Sequence, residues 1–290
     1  MHFRLINLSS QANSKLMMKN LPNFVTLLNL IFGCMAIVFI LEEQILLHSV
    51  DGENYIPVMN MNKIYIGSGF IFLAALMDIL DGLLARLLNA TSAIGKDLDS
   101  LADVVSFGVA PSMILYKYIQ MAYMAEPGAM EVPILALVPA FFLVACGAYR
   151  LARYNQNTKV GEDVIYFQGL PIPAVGIVIA SIPLFTWFPS NFMLNAFPDD
   201  YNLSFIFGNR FVLYGISLML GLLMVSKISF FKWKPASMKL SDAWAHLILL
   251  ISSIIAGIFL SFVAIPLLFV LYIVLNIIKS KKPQKITSKN

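Results

Sequence analysis

The stretch MDILDGLLARLLNATSAIGKDLDSLADVVSFG, residues 77–108, places five aspartates between two apolar segments. These are Asp78, Asp81, Asp97, Asp99 and Asp103. An acidic side chain at the centre of a bilayer costs about 2.5–3.5 kcal/mol on insertion scales. Several such residues close together therefore need a strongly stabilising partner.

The composition around this stretch is that of a membrane protein. Hydrophobic residues make up 59% of the 290 residues and charged residues 12%, whereas soluble domains have about 45–50% and about 25%. A helix needs about 20 apolar residues to cross about 30 Å of hydrocarbon. We therefore predict an all-α, polytopic transmembrane helical bundle with about eight spans. The predicted spans are 22–42, 64–88, 99–124, 132–154, 169–188, 208–227, 243–260 and 262–279, of which the last two form one long apolar run that could be divided differently.

The basic residues are concentrated in alternate segments between the predicted spans. These residues are Arg4, Lys15 and Lys19; Arg86 and Lys96; Arg150, Arg153 and Lys159; Lys227, Lys232, Lys234 and Lys239; and the lysines of the tail from Lys279 to Lys289. The intervening loops are mainly acidic, so the positive-inside rule predicts that both termini and the aspartate-rich turn are cytoplasmic. The basic tail is interpreted as a topology signal, with the attraction of anionic lipid as the alternative.

A helical projection places the aspartates on one face of each of two neighbouring predicted helices. On the second span, Asp78 and Asp81 share a face with small residues, namely Ala74, Ala75, Gly82 and Ala85, and Arg86 lies at its edge. On the third span, the shared face carries Gly95, Asp99, Asp103, Ser106 and Ala110. The segment NATSAIG predicts a short turn between the two helices, and Asp97 projects from another face as a solvated residue. Four carboxylates are therefore expected to point at one another.

Four converging carboxylates repel one another unless cations neutralise them. The three histidines are scattered, and Cys34 and Cys146 lie in apolar spans. An all-carboxylate site suits hard divalent cations such as Mg²⁺ or Mn²⁺, and two such ions sharing aspartates commonly activate a phosphate ester. Arg86 is a natural partner for phosphate oxygens. The alternative is a structural ion-pair network or an ion pathway, as in a channel or pump.

The spacing of the acidic stretch also carries a resemblance. The pattern D-x₂-DG-x₂-AR-x₈-G-x₃-D-x₃-D, from Asp78 to Asp103, resembles the complete signature of the CDP-alcohol phosphatidyltransferase family. Three further stretches resemble the members that use serine as acceptor: LPNFVTLLNLIFG (21–33), LDSLADVVSFGVAP (98–111) and YRLARYN…FQGLPIPA (149–174). Asn29 stands where the members that make phosphatidylglycerophosphate typically have arginine.

The resemblance covers roughly residues 20–230 and implies a domain organisation. We expect a cytoplasmic or interfacial segment over residues 1–20, the family's membrane core over 21–230, additional transmembrane helices over 231–279 and a basic cytoplasmic tail over 280–290. By the same resemblance, the chain is expected to act as a homodimer in the bilayer, in the bacterial cytoplasmic (inner) membrane with its site at the cytoplasmic face. No nucleic acid partner is predicted.

The activity implied by the resemblance is transfer of the phosphatidyl group from CDP-diacylglycerol to the hydroxyl of L-serine, which yields phosphatidylserine and CMP. Two divalent cations, Mg²⁺ or Mn²⁺, are expected on Asp78, Asp81, Asp99 and Asp103, with Asp103 as the general base. The expected contacts to the nucleotide and CDP-diacylglycerol are Asn23, Thr26, Gly82, Ala85, Arg86 and Gly95.

The acceptor site is expected at Arg150 and Arg153, because a guanidinium matches the carboxylate of serine. The alternative for both is that they are topology charges that reach to the interface. The alternative activity is that of a related transferase that uses glycerol 3-phosphate or an inositol phosphate as acceptor. A phosphorylated acceptor would need more basic residues around the pocket, and the sequence does not exclude them. An ion or proton transporter predicts polar residues at all depths of the membrane, whereas here they lie at one side.

Overall fold

The computed structural model describes residues 2–42, 44–49, 55–59, 61–126, 131–157, 166–187, 208–231, 248–249, 251–253, 256 and 264–280. Helices dominate this part of the chain: α1 (His2–Glu42), α2 (Asn62–Leu87), α3 (Ala93–Asp103), α4 (Ala110–Met124), α5 (Ile134–Leu137), α6 (Phe142–Asn157), α7 (Ile172–Trp187), α8 (Arg210–Val225) and α9 (Ala264–Ser280). A π-helical turn, Val104–Val109, joins α3 to α4, and a 3₁₀ turn, Val138–Phe141, joins α5 to α6. Two antiparallel ribbons pair β1 (Ile45–Ser49) with β2 (Tyr55–Met59) and β3 (Tyr166–Gln168) with β4 (Ser229–Phe231).

The predicted helical membrane fold is confirmed in its main feature. Three helical stretches of the described chain, Asn20–Glu42, Ala93–Met124 and Ile134–Gln156, are long and apolar enough to cross a membrane. Ile172–Leu184, Arg210–Val225 and Ala264–Asn276 are shorter apolar helices. The count of eight spans and the side of the termini stay predictions. The predicted span 243–260 and the basic tail lie largely outside the described residues.

The two ribbons were not predicted from the sequence. β3 precedes α7 and β4 follows α8, and the pairing sets Phe167 opposite Phe230. Backbone N–H and C=O groups near hydrocarbon must be hydrogen-bonded within the protein. The segments that precede α7 and follow α8 satisfy this need in part by pairing with each other, which neither segment reveals on its own.

Helix α1 is the element against which α2, α3 and the π-helical turn pack. A Cβ on Gly67 of α2 would lie 3.1 Å from the carbonyl oxygen of Ala36 on α1, and one on Gly33 would lie 2.8 Å from the Cα of Ser106. Both glycines therefore allow a close approach of two backbones, as small residues do between membrane helices. This close packing fixes the aspartate-bearing helices relative to α1.

The π-helical turn changes the register of the third span. Its Ser106 donates a hydrogen bond to the carbonyl oxygen of Asn29 at 3.0 Å. Its Phe107 is buried against α7, where a Cβ on Gly176 would lie 2.9 Å from the Cα of Phe107. Because a π turn holds more residues than an α turn, the straight-helix projection applied to Ser106 and Ala110 does not hold beyond Asp103.

Candidate active site

Three aspartates from two helices meet at one point. Asp78 of α2 and Asp99 and Asp103 of α3 each contribute a carboxylate oxygen to a cluster in which these oxygens all lie within 4.8 Å of one another. The carboxyl groups of Asp78 and Asp99 are close enough to share a hydrogen bond. Three carboxyl groups at this separation need protons or cations to offset their repulsion. We call Asp78, Asp99 and Asp103 the aspartate triad.

The donor set of the aspartate triad fits a hard divalent cation. One carboxylate oxygen of Asp99 and one of Asp103, both Oδ1, are buried and have no hydrogen-bond partner among the described residues. A buried carboxylate oxygen left without a partner is costly, because its interactions with water are not replaced. A metal ion supplies that interaction, and oxygen-only ligands suit Mg²⁺, Mn²⁺ or Ca²⁺. The triad could therefore hold a metal ion.

Asp81, the fourth aspartate of the predicted set, turns toward α1. Its Oδ2 accepts a hydrogen bond of 2.6 Å from the hydroxyl of Thr26, and both side chains are buried. Asp81 is not one of the three residues whose oxygens cluster within 4.8 Å, although its charge still acts on that of Asp99. The sequence predicted Thr26 as a nucleotide contact and Asp81 as a cation ligand, and the structure joins the two side chains to each other.

The first turn of α3 lies against α1. Ser92 caps this helix, and its Oγ accepts a hydrogen bond of 3.0 Å from the backbone N–H of Gly95. A Cβ on Gly95 would lie 2.9 Å from Oδ1 of Asn23 on α1. Glycine is therefore needed here so that Asn23 can reach the helix start. The preference of serine for this capping position is the one sequence signal that could have identified Ser92.

Arg86 lies over the small-residue face of α2. Its Nε donates a hydrogen bond of 3.0 Å to the carbonyl oxygen of Gly82, one turn earlier. Its Nη2 is 3.8 Å from the position that a Cβ on Gly82 would occupy, which is an ordinary van der Waals distance. Arg86 is exposed and Ala85 half-buried, which leaves this face open on the side of the short turn between α2 and α3.

The two candidate acceptor arginines occupy different environments. Arg150 of α6 is buried, with 5% of its surface exposed, and it lies near enough to Asp103 for their charges to interact. Arg153 instead donates hydrogen bonds to backbone carbonyl oxygens: from Nη1 to Val225 at 2.9 Å, and from Nη2 to Ser226 at 3.3 Å and to Gln168 at 3.3 Å. Arg153 thus ties the end of α8 to β3, whereas Arg150 is close enough to Asp103 for a charge interaction.

A second link between α3 and α6 was missed by the sequence reasoning. Lys96 donates a hydrogen bond of 3.2 Å to the carbonyl oxygen of Asn155 and lies 5.7 Å from the ring centroid of Tyr154. Nδ2 of Asn155 in turn donates to Oγ of Ser100 at 2.8 Å. No local sequence pattern predicts these contacts, because they join residues more than fifty positions apart. They hold the C-terminal end of α6, and with it Arg150, against the helix that carries Asp99 and Asp103.

Comparison with known proteins finds relatives over the same region. The sequence model of the family described as CDP-alcohol phosphatidyltransferase matches residues 19–225. A Helicobacter pylori (strain J99) protein named CDP-diacylglycerol–serine O-phosphatidyltransferase is 35% identical over 191 residues, which cover 63% of this chain and 70% of the relative. Proteins of the same name are 30% identical over 213 residues in Methanocaldococcus jannaschii (73% of this chain, 74% of the relative) and 31% identical over 173 residues in Bacillus subtilis (59% and 79%). The matched region contains all four predicted metal-binding aspartates.

Proposed function

We propose that this chain, which belongs to the CDP-alcohol phosphatidyltransferase family, transfers the phosphatidyl group of CDP-diacylglycerol to the hydroxyl of L-serine and releases CMP. The family and the apolar helices make it an integral membrane enzyme. The observation that carries the proposal is the aspartate triad, whose oxygens lie within 4.8 Å of one another. Serine is favoured as the acceptor by the names of relatives that are 30% and 35% identical to this chain.

Two divalent cations, Mg²⁺ or Mn²⁺, would be held by the triad together with Asp81. Bound there, such ions neutralise the diphosphate of the substrate and the charge that grows on the departing CMP. The support is the chemistry of the donor set: four carboxylates on α2 and α3, with buried oxygens on Asp99 and Asp103 that lack a partner among the described residues. This arrangement suits hard cations and phosphate chemistry rather than redox chemistry.

Asp103 is our proposed general base. In the proposed reaction, its carboxylate takes the proton of the serine hydroxyl, and the serine oxygen forms a bond to the phosphorus that carries diacylglycerol. The bond from this phosphorus to the oxygen of CMP breaks on the opposite side. Asp103 is the most deeply buried member of the triad, and the charge of Arg150 acts on its carboxylate, which supports this role.

Arg150 is our proposed partner for the carboxylate of serine. A guanidinium group recognises a carboxylate through two parallel hydrogen bonds, and Arg150 is close enough to the proposed base, Asp103, for their charges to interact. Arg153 donates to three backbone carbonyl oxygens, so we assign it the support of this wall rather than a substrate contact. The acceptor site would then lie between α6 and α3.

The nucleotide is proposed to lie along the face shared by α2 and the first turn of α3. Gly82, Ala85 and Gly95 leave this surface shallow, Asn23 borders it, and Arg86 supplies a positive charge for the diphosphate. The site at the cytoplasmic face of a bacterial membrane and the homodimer also stay proposals, which rest on the distribution of basic residues and on the resemblance.

The decisive experiment is an acceptor panel with the purified full chain. CMP release from CDP-diacylglycerol is measured with L-serine, glycerol 3-phosphate and inositol phosphate, with Mg²⁺ or Mn²⁺ present. Of these three acceptors, we expect only L-serine to support CMP release. If glycerol 3-phosphate were the better acceptor, the proposed acceptor would be wrong while membership of the family would stand. Asp99→Asn tests the site, and Asp97→Asn is the matched control, because Asp97 is an exposed aspartate of the same helix and not a member of the triad.

A further inference from the structure

We infer that Thr26 is a positioning residue, which orients the Asp81 carboxylate so that its Oδ1 is the oxygen offered to a divalent cation. The inference rests on the proposed function and deepens it. It changes the role expected of Thr26, from a contact to the nucleotide to a partner of a cation ligand.

The geometry that carries the inference is the bond between α1 and α2. Oγ1 of Thr26 lies 2.6 Å from Oδ2 of Asp81, and the two side chains are 3% and 6% exposed. A hydroxyl that donates to a carboxylate at this distance makes a short, charge-assisted hydrogen bond, about twice as strong as a neutral one. Burial strengthens the bond further, because little water competes for either group.

The hydroxyl has a second acceptor within reach. Oγ1 of Thr26 is 3.0 Å from the carbonyl oxygen of Pro22, four residues earlier in α1. Donation to this carbonyl is the ordinary local alternative for a threonine in a helix. Since a hydroxyl has one proton, the shorter contact to the ionised acceptor is the stronger of the two, and the proton is directed at Asp81.

The hydrogen bond from Thr26 restricts the orientation of the Asp81 carboxylate. The terminal torsion of an aspartate is broad and nearly two-fold, so an unrestrained carboxylate can present either oxygen. The backbone N–H of Gly82 also interacts with this carboxylate; with Oδ2 held by Thr26, Oδ1 is the oxygen that we assign to the cation. The other three aspartates already place their oxygens within 4.8 Å of one another. Asp81 therefore contributes from the α1 side, as a single oxygen of fixed direction.

The test measures the binding of Mn²⁺ alone to the purified full chain, in detergent and without substrates. Thr26→Val keeps the shape of the side chain and removes the hydroxyl, whereas Thr26→Ser keeps the hydroxyl. Loss of a partner that orients a ligand typically costs 10–100-fold in metal affinity. We therefore expect Thr26→Val to weaken one class of Mn²⁺ sites by roughly 10–100-fold and Thr26→Ser to stay close to the unaltered chain. An unchanged Mn²⁺ isotherm for Thr26→Val would overturn the inference.

Ser181→Ala is the matched control for the loss of a buried helical hydroxyl. Oγ of Ser181 donates to the carbonyl oxygen of Val178 in α7 at 2.7 Å, so this variant removes a bond of the same kind as the Thr26–Pro22 contact. We expect it to leave Mn²⁺ binding unchanged. Equal weakening by Ser181→Ala and Thr26→Val would assign the effect to general helix stability and overturn the inference.

A double-mutant cycle keeps the test decisive if Thr26→Val also affects folding. In an Asp81→Ala background the hydroxyl has no carboxylate to orient, so Thr26→Val should cause no further loss of Mn²⁺ affinity, whereas independent effects would add. Weaker CDP binding by Thr26→Val, with Mn²⁺ binding unchanged, would make Thr26 a nucleotide contact and overturn the inference. Failure of the proposed function would show separately, as absence of serine-dependent CMP release by the unaltered chain.

Discussion

Replacement of Arg150 by lysine is the sharpest test of the acceptor site. The change keeps a positive charge near Asp103 but removes the fork of donors that can hold a carboxylate through two hydrogen bonds. Hydrogen bonds to charged groups contribute about 1.5–3 kcal/mol. Since about 1.4 kcal/mol corresponds to a factor of ten, the KM for serine should rise by roughly 10–150-fold. Arg150 is only 5% exposed, so screening by water should reduce this effect little.

The assay is CMP release as serine is varied at saturating CDP-diacylglycerol, followed by the converse titration of CDP-diacylglycerol at high serine. Arg153→Lys is the matched control, three positions along the same helix. Its bonds go to the carbonyl oxygens of Gln168, Val225 and Ser226, so we expect lower thermal stability without a selective rise in the KM for serine. A KM for serine that is unchanged in Arg150→Lys and raised in Arg153→Lys would refute the assignment.

Three further predictions concern the base, the cations and the loop before α7. Asp103→Asn should lower kcat by about 10²–10⁴-fold, the usual contribution of general acid–base catalysis, while CDP-diacylglycerol still binds; near-normal turnover would remove Asp103 as the base. Excess chelator should abolish CMP release, and Asp78→Ala or Asp99→Ala should weaken both Mn²⁺ and CDP binding in titrations; full turnover in chelator would contradict the cation mechanism. Gly169→Ala should lower the midpoint of thermal unfolding, because Gly169 has φ of +78° and an added Cβ would overlap the carbonyl oxygen of Met224. This backbone conformation alone costs a non-glycine residue about 1–2 kcal/mol. An unchanged midpoint would show that the loop can relax.

The convergence of the aspartates could be predicted because it depends on local spacing alone. Asp99 and Asp103 are four residues apart, so they lie on one face of any α-helix. A short turn then brings that face against the one that carries Asp78. Gly95 marked the same surface, because the close approach of Asn23 leaves no room there for a larger residue.

The partners of these residues could not be predicted, because they depend on tertiary packing. Nothing in the sequence distinguishes Arg150 from Arg153 as an acceptor contact; the difference arises because Arg153 meets the end of α8, about seventy residues away. The bond from Thr26 to Asp81 joins residues that are 55 positions apart, and it depends on how closely α1 and α2 approach. The β3–β4 ribbon and the contacts of the π-helical turn with α1 and α7 likewise join distant segments.

The π-helical turn sets which way the side chains of α3 point relative to those of α4, because it joins the two helices with an altered number of residues per turn. An α-helix turns by about 100° per residue, so deleting one residue between Val104 and Val109 would rotate one half by about that angle relative to the other. Either Asp103 would leave the triad or Phe107 would leave its place against α7. The π-helical turn is therefore the place in this helix where a change of length by one residue would disrupt either the triad or the packing against α7, whereas point substitutions in α4 would leave the register unchanged.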